Sequence, residues 1–211
     1  MFEMEFNKTL ALVTIGLLAV AGILFITIPI FLASSLVSIN GKNTSASLAT
    51  VIGEFKNTTQ TVLVHIIPER NTVLFNSHTA NLVFLSVNAK QAQNLTSQSA
   101  DGSPVTLIAG GLIFPTVDVQ RNASVKIIFV NMVPDQSCNL VITTINPATV
   151  ASSGVQISSQ LGAVLSTPSL LPANLITGKV YQYTASLPTV SSDLWYSSSC
   201  TPSASGVITT E

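Results

Sequence analysis

The strongest constraint on this chain is a charge-free stretch between Lys8 and Lys42. Its apolar core runs from Leu10 to Ile39 as LALVTIGLLAVAGILFITIPIFLASSLVSI. A membrane-spanning helix needs about 20 predominantly apolar residues, so this run is long enough for one span with tilt to spare. A cleaved secretory signal is the rival reading. Such signals carry only about 7–15 apolar residues before a small-residue cleavage site, and Ala33-Ser34-Ser35 comes too late for that. Pro29 removes a backbone donor and predicts a kink or change of direction. No residue inside the span suggests proton or ion transport. The expectation is a cytoplasmic N-terminus and one transmembrane α-helix over residues 1–39, in contact with membrane lipid.

Charge alone orients this helix weakly, because Lys8 is accompanied by Glu3 and Glu5. The acceptor pattern for N-glycosylation says more. It occurs at Asn43, Asn57, Asn94 and Asn122, all C-terminal to the helix, which places that part of the chain outside the cytoplasm. Asn7 also begins such a pattern and is expected to stay bare on the cytoplasmic side. From Lys42 onward there are seven Lys or Arg and seven Asp or Glu, so the outer part is neutral and charge-poor. Its polarity comes from Ser, Thr, Asn and Gln. A neutral surface excludes nucleic acid as a partner, since that needs a basic footprint. Few titrating groups also suit an acidic medium, where carboxylates lose their charge and their partners. A surface covered by glycans or by other subunits would account for the same composition.

Residues 40–60 read as a linker, with a short helix around Ser47–Phe55. Residues 61–211 read as one β-rich domain. Runs rich in Val, Ile, Phe and Tyr, bounded by Gly, Pro, Asn and Ser, predict strands at 61–67, 72–76, 81–87, 105–108, 112–119, 124–131, 138–145, 155–157, 179–186 and 194–198. Short strands at this spacing point to a sandwich or small barrel. There is no internal repeat and no heptad pattern.

Little in the residues specifies catalysis. No HExxH, P-loop, GxSxG or GxGxxG stands in a suitable context. His65 lies inside an apolar strand run and His78 in the loop Asn76-Ser77-His78-Thr79. Both are read as ordinary structural histidines rather than ligands. Asp101 and Asp118 lie near turns and are read as solvated. Trp195 and Tyr196 are read as core or interface aromatics. No catalytic, cofactor-binding or metal-binding residue is assigned, and no cofactor is expected.

The two cysteines, Cys138 and Cys200, form an even pair, which in an oxidising compartment suggests one disulfide. The segment Ala123–Thr143, ASVKIIFVNMVPDQSCNLVIT, resembles the central stretch of cupredoxins, sulfocyanin-like proteins in particular. There a V-x-F-x-N strand leads through a loop to a copper-binding His followed by Asn and a hydrophobic run. Here Val125–Asn131 matches the strand, Asn139–Ile142 matches the sequel, and Cys138 stands at the His position. The C-terminal part continues the resemblance. Tyr181–Leu187 and Leu194–Ser199 lead to Cys200, Pro202 and a closing Gly206-Val207-Ile208. The second His and the Met of that loop have no counterpart, because Ser203, Ala204 and Ser205 fill it.

The resemblance covers about Asn81–Thr210 and implies an all-β, Greek-key, cupredoxin-like sandwich whose copper ligands are lost. A blue-copper centre requires two His, one Cys and usually a weak axial ligand. A binuclear centre of the oxidase subunit II type requires two cysteines in one loop plus two His. Neither set is present. Donor atoms that share one metal lie a few ångströms apart, so the resemblance further implies that Cys138 and Cys200 stand within disulfide reach. A Cu(I) ion held by two thiolates is the rival. The function implied is a metal-free accessory or structural subunit of a membrane respiratory complex, similar to subunit II of quinol oxidases and partnered by other integral membrane subunits. The alternative is a surface filament, coat or virion membrane glycoprotein, similar to archaeal pilins. Pilins carry a basic leader ahead of their apolar helix, whereas Met1–Lys8 is acidic. An enzyme ranks third.

Overall fold

The computed structural model describes residues 41–59, 63–98, 104–146 and 163–211. The expected transmembrane helix, Asp101 and the expected strand at 155–157 lie outside these residues. Among the described residues no helix is long and apolar enough to cross a membrane. The described residues form one compact unit.

Thirteen strands and two α-helices are described, with a short 3-10 helix at Pro68–Arg70. In chain order they are β1 (Lys42–Ser47), α1 (Leu48–Thr59), β2 (Val64–Ile67), β3 (Thr72–Phe75), β4 (Thr79–Asn88), α2 (Ala89–Leu95), β5 (Val105–Ala109), β6 (Leu112–Ile113), β7 (Thr116–Val119), β8 (Ala123–Asn131), β9 (Leu140–Thr143), β10 (Ala163–Ser166), β11 (Lys179–Val190), β12 (Leu194–Ser198) and β13 (Thr201–Thr210). They build two sheets. The first has the order β1-β11-β8-β4-β5-β6, and the second β10-β9-β12-β13-β7-β3-β2.

Side-chain alternation explains how the sheets pack. Along β8, Val125, Ile127 and Phe129 fall on one face and join Leu82, Phe84 and Leu107 of the same sheet. Facing them from the second sheet are Val73, Phe75, Leu140, Ile142, Tyr196 and Ile208. This inter-sheet layer is the main core of a β-sandwich. The other face of the first sheet is buried too. Val83, Leu85 and Val87 of β4, with Ile108, Val130 and Val180, pack against Val51 and Phe55 of α1 and Ala92 of α2. The run NLVFLSV is therefore almost continuously apolar because both of its faces are covered. Helix α2 is fixed by a capping box in which the Asn88 side chain accepts from Gln91 N and the Gln91 side chain accepts from Asn88 N.

The segment expected as a linker is a working part of this unit. Residues Lys42–Ser47 pair antiparallel with Lys179–Thr184 of β11, and α1 covers the first sheet. The sequence KNTSAS gives no sign of this, because an edge strand exposed on its outer side has no need of apolar residues. The helix expected around Ser47–Phe55 is present and extends to Thr59.

Tyr196 anchors the sandwich interior. Its ring lies 4.6 Å from that of Phe84 at an interplanar angle of 54°. Its hydroxyl donates to the Pro115 carbonyl 2.5 Å away. On the neighbouring strand the residue paired with it is Gly206, where a Cβ would overlap the phenol ring.

Candidate functional site

The site indicated by the sequence lies at one end of the sandwich. There β8 ends at Asn131, β9 begins at Leu140, β12 ends at Ser198 and β13 begins at Thr201. Cys138 and Cys200 are joined by a disulfide, with Cα atoms 5.5 Å apart and a sequence separation of 62. Cys138 is fully buried and Cys200 is partly exposed. The bridge is supported on both sides by hydrogen bonds. Asn139 N donates to Ser199 Oγ at 3.0 Å, and Ser199 N donates to the Asn139 carbonyl at 3.1 Å. Cys138 and Leu170 exchange a pair of backbone bonds, 3.2 and 2.8 Å long. Leu140 N donates to Thr167 Oγ1, which ties the segment after β10 to the same loop.

Asn131 organises the approach to the bridge. The alternation that turns Ile127 and Phe129 inward turns Asn131 inward as well, and it is completely buried. Its amide nitrogen donates to the carbonyls of Gln136 at 2.8 Å, Leu170 at 3.1 Å and Leu171 at 3.1 Å. Its Oδ1 accepts from Val133 N at 3.1 Å. One neutral side chain thereby fixes both the loop that carries Cys138 and the strap from Thr167 to Leu171. A buried amide is stable there because its donors and its acceptor are matched.

The structure brings neither histidine to this end. His65 is exposed on β2, at the edge of the second sheet farthest from β9 and β10. His78 is exposed in the loop before β4, where its carbonyl accepts from Ser124 N at the start of β8, the strand end opposite Asn131. Asp118 is on β7 and its carboxylate accepts from the Thr209 hydroxyl, so it is not simply solvated. Trp195 is half-buried on β12. Asn43, Asn57, Asn94 and Asn122 all have exposed side chains.

Copper does not fit the residues at this end. Both sulfurs are committed to each other. The side-chain oxygens left buried without a hydrogen-bond partner near them, on Asn139 and Thr201, are an amide and a hydroxyl, poor donors for copper. Among the described residues no group of three or more His, Cys, Asp or Glu is placed to hold a metal ion.

The two sheets build a sandwich of cupredoxin-like fold. Among the solved structures it resembles are those of the copper protein rusticyanin. The 1.27 Å structure of rusticyanin from Thiobacillus ferrooxidans matches with a TM-score of 0.60 and 17% identity, over 82% of this chain and 100% of that chain. Reduced rusticyanin matches with a TM-score of 0.58 and 14% identity, over 81% and 100%. Likeness at this identity shows the fold. No protein-family model matches the chain. No curated protein matches it either.

Proposed function

We propose that this chain is a metal-free, membrane-anchored, cupredoxin-like subunit of a membrane respiratory complex of the quinol-oxidase type. It has no catalytic activity of its own and serves to hold other integral membrane subunits. The observation that carries the reading is the Cys138–Cys200 bridge at the end of the fold where the sequence resemblance puts two copper ligands. A domain that has exchanged a metal clip for a covalent one keeps its shape and gives up electron transfer. Such an exchange is tolerated where quinol delivers electrons from within the membrane. In this reading the apolar run Leu10–Ile39 is the anchor and the domain lies outside the cytoplasm, where the disulfide persists and the four exposed asparagines carry glycans.

Mild-detergent purification from the native membrane, followed by an optical spectrum and mass spectrometry of co-purifying chains, tests the proposal. Haem bands with polytopic oxidase subunits are the expected result. A chain that migrates alone and colourless overturns it. Homopolymers or shed fibres would favour the second reading, a surface filament, coat or virion glycoprotein. Its support is the combination of exposed sequons and scarce charge.

A further inference from the structure

The first sheet ends at β1, an edge strand with no neighbour on its outer side among the described residues. Unpaired N–H and C=O groups on such an edge are a template for a foreign strand, and proteins commonly guard them with charge or proline. The sequence KNTSAS offers no proline and one lysine. It offers instead an acceptor pattern for N-glycosylation, Asn43-Thr44-Ser45. The other acceptor asparagines after residue 40 are Asn57 in α1, Asn94 in α2 and Asn122 between β7 and β8. Asn43 alone of these four lies in a strand.

Its place in the ladder gives it a particular neighbour. In the antiparallel pairing of β1 with β11, Asn43 stands directly opposite Tyr183, and Ser45 directly opposite Tyr181. Residues so opposed share one face of the sheet, with Cβ atoms about 4.5–5.5 Å apart. That face is the inner one, because Ala185 and Leu187 follow the two tyrosines at the same period and are buried in the inter-sheet core. Toward β1 the core runs out. Tyr183 is half-buried, and Asn43 and Ser45 are exposed. A strip of the inner face is thus left open at the sheet edge, with aromatic rings on one strand and the acceptor asparagine on the other. The Tyr183 phenol reaches diagonally across to Gly41, where a Cβ would overlap it. This contact holds the ring in place beside Asn43.

A sugar and an aromatic ring are complementary. A pyranose presents a face of weakly positive C–H groups, and the ring presents the negative face of its quadrupole. A sugar attached at Asn43 meets Tyr183 as an intramolecular partner at high effective concentration. A ring already fixed loses little freedom on contact. We propose that the glycan on Asn43 folds back along β1 and stacks its first sugar on the Tyr183 ring, closing this sheet edge to strand pairing. The proposal rests on the reading of the domain as extracytoplasmic and glycosylated.

The test uses the full chain, expressed in its own host and purified in mild detergent. Glycopeptide mass spectrometry finds Asn43 occupied. Asn43→Gln and Ser45→Ala remove the acceptor through different residues. Each lowers the melting temperature by about 2–4 °C. Each also speeds amide hydrogen exchange in Lys42–Ser47 roughly fivefold. Tyr183→Thr keeps a strand-forming residue and removes the ring. In that background, whatever its own baseline, the same two substitutions leave both readings unchanged. A bare Asn43 beside occupied Asn57, Asn94 or Asn122 overturns the proposal and leaves the extracytoplasmic reading standing. Four bare asparagines overturn it together with the glycosylated reading beneath it. A glycan on Asn43 whose loss has the same effect with and without the Tyr183 ring overturns the stacking alone.

Discussion

At the scale of single residues, two side chains carry more of the structure than their neighbours. Asn131 makes four hydrogen bonds that fix the loop and the strap around the disulfide. Asn131→Ala leaves the carbonyls of Gln136 and Leu171 and the amide of Val133 to find new partners, while Leu170 keeps only its bond from Cys138 N, and it is expected to cost about 3 kcal/mol in urea unfolding. The bridge itself should persist in non-reducing peptide maps. Tyr196 carries the inter-sheet contact. Gly206→Ala drives a methyl group into its ring, at an expected cost of about 3 kcal/mol. A Gly206→Ala variant as stable as the parent would show that the ring is free to move aside. The two residues were unequally legible. Tyr196 reads as a core or interface aromatic directly. Asn131 shows only if the period-2 pattern of β8 is followed to its end, where a polar residue falls on the core face.

Among the elements, the runs that became β4, β8, β11 and β12 were legible because each must place β-branched or aromatic residues on at least one buried face. Two strands were not read, and a third was read only at its closing end. β1 is a polar edge strand. β10 is only four residues long. β13 begins Thr201-Pro202-Ser203-Ala204-Ser205 and shows its apolar pattern only from Gly206 onward. Helix α2 was also missed, since seven residues hold too little periodicity to read. The reassignment of residues 42–59 from linker to domain has an energetic consequence. Phe55 is buried on the outer face of the first sheet, and Phe55→Ala should destabilise the unit by about 3–4 kcal/mol in denaturant unfolding. A true linker would tolerate the change with no measurable loss.

For the molecule as a whole, the interactions that fasten the interior are amides, hydroxyls and one disulfide. Gln91, Gln98, Asn131 and Thr167 all hold backbone groups, and none of these side chains ionises. Acid removes none of these bonds, so the melting temperature should hold nearly level as pH falls through the carboxylate range. Alkali acts differently. Burial pushes the Tyr196 phenol well above its ordinary value. The stabilisation tied to its neutral form is fully present below about pH 10, the unfolded value, and is lost as pH rises toward the folded one. Thermal melts from neutral to strongly alkaline pH should therefore decline, and Tyr196→Phe should flatten the decline. Replacing both cysteines by serine opens a loop with a sequence separation of 62 residues, at a cost of about 4 kcal/mol in the loop-closure picture. Chelators should leave the wild type untouched, whereas a strong thiol reductant should lower its melting point by as much as the double substitution does. The bridge also determines how the domain is finished after synthesis. A domain clipped by a metal waits for a carrier to deliver the ion, and its fraction matured tracks the supply of that ion. This one is complete when two thiols give up two protons and two electrons to an oxidant. Its maturation is thus coupled to the redox poise of its compartment and is indifferent to metal starvation.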